Sequence, residues 1–134
     1  METPFSRTVV LSLLADLVCV LAFAFGGKSS HEASDSSWVV LVIAWPFALA
    51  ALIAHIGLFG RDRPSTPVWP FGVVIVGITY LLGMTLRVIE GRGIAVGFLV
   101  VALVFLSATM LGWRAVTDRV RRGRKQPMTA GERR

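Results

Sequence analysis

Residues 8–25 read TVVLSLLADLVCVLAFAF, eighteen positions with a single charge, Asp16, near their middle. At about 1.5 Å of rise per residue, a helix of that length nearly spans the roughly 30 Å hydrocarbon core of a bilayer. The run lacks the alternation a membrane β-strand requires. Backbone groups inside lipid must be satisfied within the segment, so it predicts a helix. A cleaved signal peptide fits less well. Arg7 precedes the run, but Asp16 interrupts it and no clean small-x-small site lies before Gly26.

Three further apolar runs follow, Trp38 to Phe59, Val68 to Leu86 and Ile94 to Trp113. The breaks between the four, GGKSSHEASDSS, GRDRPSTP and RVIEGRG, carry the glycine, proline, serine and charge of loops. The expected fold class is therefore an all-α membrane protein, a four-transmembrane-helix bundle with helices at about 8–25, 38–59, 68–86 and 94–113. Residues 1–7 form a short N-terminus, and residues 114–134 a basic tail whose first part, RAVTDRVRR, keeps helical composition.

Bulk composition agrees. Of the 134 residues, 54% are hydrophobic and 16% charged, against about a quarter charged in soluble domains. A soluble fold with that balance would expose large apolar patches. The net charge of +6 comes from residues that flank the apolar runs and crowd the last twenty or so positions. Such a distribution suits an anionic lipid surface, and no nucleic-acid partner is expected. Arg119, Arg121, Arg122, Arg124 and Lys125 are the candidate headgroup contacts. Cys19 is the only cysteine, which excludes an intrachain disulfide and a cysteine-based metal site.

Four crossings place eleven lysines and arginines on one side and three, Lys28, Arg87 and Arg92, on the other. Positive charge favours the cytoplasmic face, so both termini and the central loop are expected there. Trp38, Trp69 and Trp113 fall at helix ends, where indoles favour the interface.

Asp16 is the most informative residue. A carboxylate at bilayer depth costs about 2.5 to 3.5 kcal/mol even on a lenient scale, so it should face the bundle interior. Ser12, Asp16, Cys19 and Phe23 share one helical face by their spacing. Two readings stand side by side: a proton- or solute-coupling carboxylate, or a structural one bonded to Tyr80, Thr79 or Thr85 of the third helix. Arg87 invites an ion pair with Asp16, but depth counting separates the two Cα levels by roughly 12 Å; an interface anchor is the plainer role. Pro46 lacks an amide proton and frees the carbonyl of Val42, which would kink the second helix. Small residues four apart, such as Ala44 and Ala48, Ala50 and Ala54, Gly93 and Gly97, and Ala108 and Gly112, permit close helix contact.

His31 and His55 fall on opposite sides of the membrane in this topology, so neither a shared metal site nor a haem is expected. No phosphate loop, Ser/His/Asp set or paired membrane carboxylate is visible, and no cofactor or catalytic residue is assigned.

Taken together, DLVCVLAF at Asp16, GGKSSH at Gly26 to His31, AWPF at Ala44 to Phe47, WPFGVV opening the third helix, GMTLR ending at Arg87 and GWR at Gly112 to Arg114 resemble a family of prokaryotic integral membrane proteins, domain of unknown function 3054. The chain departs from that family's pattern at Lys28, where arginine is usual, and near Ile75, where tryptophan is. The resemblance implies a four-helix membrane fold in a prokaryotic plasma membrane and supplies no activity.

Two functions are carried forward. The first is a non-enzymatic accessory or interaction subunit that meets other membrane proteins, or copies of itself, within the lipid bilayer. The second is a small oligomeric proton-coupled transporter using Asp16, by analogy with small multidrug-resistance transporters. An enzyme acting on lipid has the least support.

Overall fold

The computed structural model describes residues 7–29, 37–59 and 67–124. Within them run α1 (Arg7–Ser29), α2 (Trp38–Phe59), α3 (Val73–Ile89) and α4 (Val96–Arg124), all built from the four apolar runs. Each span is long and apolar enough to cross a membrane. The chain is a multi-pass membrane protein of the four-helix type. His31, Arg61, Arg63, Lys125 and the rest of the tail lie outside the described residues, as do residues 1–6.

The third span opens on one wide turn, Val68–Gly72, before α3 proper. Trp69 is extended there, with φ −120° and ψ 136°, and the Trp69–Pro70 peptide is cis. The Gly72 amide donates to the Pro67 carbonyl at 3.0 Å, which closes the turn. At the far end α3 continues to Ile89, three residues beyond the apolar run, and Gly91 takes the positive φ (76°) that reverses the chain toward α4. α4 carries on past Trp113 through RAVTDRVRR to Arg124 without a break.

The helices pack in ring order, α1 on α2 and α4, and α3 on α2 and α4. One stripe of each helix turns inward: Val9, Ser12, Asp16, Val20 and Phe23 from α1; Val40, Ala44, Phe47, Ala51 and Ala54 with His55 from α2; Ile75, Thr79 and Gly83 from α3; Ala102, Leu106, Met110 and Arg114 from α4. These spacings of three and four are the helical period. The outward faces are leucine, valine, isoleucine and phenylalanine, including Leu11, Val18, Phe25, Ile53, Leu81 and Val104. Polar groups thus sit inside an apolar jacket, the distribution lipid imposes.

Four phenylalanines hold the middle. Phe23 meets Phe47 edge-on at 5.4 Å between ring centroids, and lies 5.7 Å from Phe98 and 5.8 Å from Phe105. Phe47 fits because α3 has a glycine opposite it. A Cβ at Gly83 would lie 2.5 Å from the Phe47 ring.

Pro46 lies inside α2, and the carbonyl it frees is not wasted. Arg92, from the α3–α4 connection, donates Nη1 to the Val42 carbonyl at 3.3 Å. Its Nε lies 3.5 Å from Glu90, whose other oxygen accepts the Trp45 indole N–H at 2.9 Å. The helix break therefore doubles as an anchor point for the connection. Of the small pairs, Ala44, Ala50 and Ala54 are buried within the chain, while a Cβ at Gly93, Gly97 or Gly112 would meet nothing.

Overpacking a close contact of this kind costs about 1 to 3 kcal/mol. Gly83→Ala should accordingly lower the thermal midpoint in detergent micelles, and adding Phe47→Leu should recover part of the loss. An unchanged midpoint for Gly83→Ala would show that Phe47 is not held against α3 in this way.

Candidate functional site: a buried carboxylate shared by three helices

Asp16 is fully buried, and its partners come from α2 and α4 rather than from α3. Arg114 donates Nη1 to Oδ1 at 2.8 Å and Nη2 to Oδ2 at 2.6 Å, the two-pronged geometry of a guanidinium on a carboxylate. The Trp113 indole N–H donates to the same Oδ1 at 2.8 Å. His55 places Nε2 3.3 Å from Oδ2. Every polar hand of the site is a long or ringed side chain reaching the carboxylate from a neighbouring helix.

Arg114 is as buried as its partner. Its Nη1 also donates to the Met110 carbonyl one turn earlier at 2.8 Å, and its guanidinium carbon lies 4.5 Å from the Trp113 ring centroid. Room for the side chain comes from the turn before α3: a Cβ at Gly72 would stand 2.8 Å from Arg114 Cδ. A larger residue there would push the arginine stem away from its seat.

His55 is set by its own helix. Nδ1 lies 2.8 Å from the Ala51 carbonyl, an acceptor, so this nitrogen carries the proton. Nε2 then faces a carboxylate oxygen.

Of the residues singled out from sequence, Asp16 is central and Ser12 is not part of its ligation. The Ser12 hydroxyl donates back to the Thr8 carbonyl at 2.9 Å. Tyr80 donates to the Leu99 carbonyl of α4 at 3.1 Å, and Thr85 to Leu81 at 2.8 Å. Thr79 is fully buried, and its hydroxyl has no partner among the described residues. Arg87 does not reach Asp16; its guanidinium carbon lies 4.0 Å over the Phe98 ring. The proposed partners for Asp16 on α3 are thus replaced by Arg114, Trp113 and His55. Trp113 serves the carboxylate rather than only the interface, and Arg114 belongs to the core rather than to the tail. Arg119, Arg121, Arg122 and Arg124 lie exposed on the last turns of α4.

Sequence reasoning missed Arg114 because it heads a run of arginines and ends an apolar segment. One signal could have found it. Ala102, Leu106, Met110 and Arg114 recur every four residues, so Arg114 is in phase with the inward stripe. The same holds for His55, in phase with Ala44, Phe47 and Ala51.

A four-helix integral membrane fold with a carboxylate and a guanidinium paired at its core defines the class of protein. The chain belongs to the family described as protein of unknown function (DUF3054), whose pattern matches residues 13–117 and so includes Asp16, His55, Trp113 and Arg114. No curated protein and no solved structure matches it.

Removing one member of a buried ion pair strands the other and costs about 3 to 5 kcal/mol, whereas replacing both by apolar residues of similar volume is often near neutral. Asp16→Leu should therefore destabilise the protein strongly, and Asp16→Leu with Arg114→Met should lie closer to wild type than Asp16→Leu alone. Denaturant unfolding in micelles measures both. Additive losses would mean the two side chains act independently.

Proposed function

We propose that this chain is a non-enzymatic accessory or interaction subunit, residing in a prokaryotic plasma membrane with both termini in the cytoplasm. The observation that carries the reading is the asymmetry of α4. Only 17% of its membrane window is buried inside the chain, against 44% for α2. Its free side presents Val100, Val104 and Ala108 in a shallow apolar depression, with Gly112 one turn further on. Ala108 and Gly112, small residues four apart on that face, allow another helix to approach closely. The intramembrane carboxylate, meanwhile, is engaged in joining α1, α2 and α4. Orientation rests on the excess of lysine and arginine at the ends and central connection. That excess persists when Arg114 and Arg87, which lie within the helices, are set aside.

Ala108→Trp would block that face and leave the interior untouched. Purified from native membranes in mild detergent, the wild type should carry a stoichiometric membrane partner that the variant loses, with equal thermal midpoints for the two. A wild-type protein that always isolates as a lone monomer or homodimer would overturn the reading.

A second reading, proton-coupled transport by a small oligomer, draws on the placement of His55 Nε2 3.3 Å from Asp16. Protonating Asp16 would release Arg114 from its counter-charge, a local change able to bias helix packing. In proteoliposomes with an imposed pH gradient, this reading expects substrate-linked proton flux that Asp16→Asn abolishes and His55→Gln shifts along the pH axis. Flux unchanged by Asp16→Asn would exclude it.

A further inference from the structure

The opposite end of the bundle from the buried ion pair holds a cavity of about 590 Å³. It lies where α1 and α3 end and α2 and α4 begin. Its walls include Phe23, Ile43, Phe98, Val101 and Phe105, and among the described residues Arg87 is the one charged residue that lines it. The volume falls within the roughly 300–1,000 Å³ of small-molecule sites, which are also mostly apolar with few polar groups.

Arg87 is incompletely satisfied. Its guanidinium carbon stacks over Phe98 at 4.0 Å, but Nη1 is buried with no acceptor among the described residues. A buried donor left unpaired is costly, and a charged one more so. The nearby carboxylate, Glu90, is engaged by the Trp45 indole and by Arg92. Among the described residues an anion is therefore the complement the cavity lacks, and the remaining walls call for hydrocarbon.

Access fits a ligand with an extended chain. Gly26, Gly27 and Gly97 line the cavity, and a Cβ at Gly26 or Gly97 would meet nothing, so no side chain of the described residues closes the wall there. Arg87 lies two residues before the end of α3, which places an anionic head toward the membrane surface and lets a tail follow the aromatic wall inward. A planar guanidinium suits a carboxylate.

We propose that this cavity binds a single-chain anionic amphiphile of the fatty-acid class, with its carboxylate on Arg87 and its first methylenes against Phe23, Phe98 and Phe105. The site is separate from the Asp16 cluster and shares only Val101 and Phe105 with the outer depression on α4; its ligand chemistry rests on Arg87, so it stands whether or not the accessory reading does.

Binding of oleate to the full-length protein in neutral-detergent micelles, followed by native mass spectrometry and by titration, tests the proposal. Oleate should bind saturably at one site, and oleyl alcohol at least tenfold more weakly. Arg87→Gln should weaken oleate at least tenfold, with Arg87→Lys retaining part of the affinity. Gly97→Leu, which keeps the charge and narrows the cavity, should also weaken binding while the thermal midpoint stays near wild type. Equal binding of oleate by wild type and Arg87→Gln would overturn the site. So would displacement of oleate by an equal or lower concentration of phosphatidylglycerol, since a two-chain bilayer lipid would then be the occupant.

Discussion

The contact between Asp16 and Arg114 is the constraint around which the bundle is arranged. Each charge alone is expensive at membrane depth, by a few kcal/mol on insertion scales. Joined in two parallel hydrogen bonds they neutralise each other, so the first and last helices are far better placed together than apart. Trp113 and His55 extend the same logic, drawing α2 and a second position of α4 onto the carboxylate. Even the turn before α3 is shaped by it, because Gly72 leaves the space the arginine stem occupies.

A second, lighter polar tie operates at the other end. Pro46 leaves the Val42 carbonyl without its helical donor, and Arg92 supplies one while pairing with Glu90. A backbone group that would otherwise be unsatisfied in lipid becomes the point at which the α3–α4 connection is fastened. Between these two ties lies the phenylalanine cluster, tight against Gly83 on one side and loosening toward the cavity beside Arg87 on the other. Among the described residues the bundle is closed and charge-balanced at one end and open, with an unmatched guanidinium nitrogen, at the other.

This division bears on function. A carboxylate in the first membrane helix invites a coupling role, yet here both its oxygens accept from donors on α4, with His55 of α2 beside them, the arrangement expected of a structural clasp. The surfaces the clasp does not use are the sparsely covered face of α4 and the aromatic cavity, and the proposed interactions fall on these.

The sequence by itself determined the four spans, the loops between them, the requirement that Asp16 face inward, and the carbonyl that Pro46 would free. All of these follow from local physics: hydrocarbon thickness, helical period, backbone hydrogen bonding and the cost of charge in lipid. It did not select the partner of Asp16. Arg87, Arg92 and Arg114 are all within or beside membrane helices, and the candidate partners on α3, Tyr80, Thr79 and Thr85, bond elsewhere or have no bond to it. Only the tertiary structure decided for Arg114, because the pairing depends on α4 closing the ring against α1 and on Gly72 clearing the path of one side chain. Those are relations between residues far apart in the chain, 98 positions for Asp16 and Arg114, which no helical period encodes.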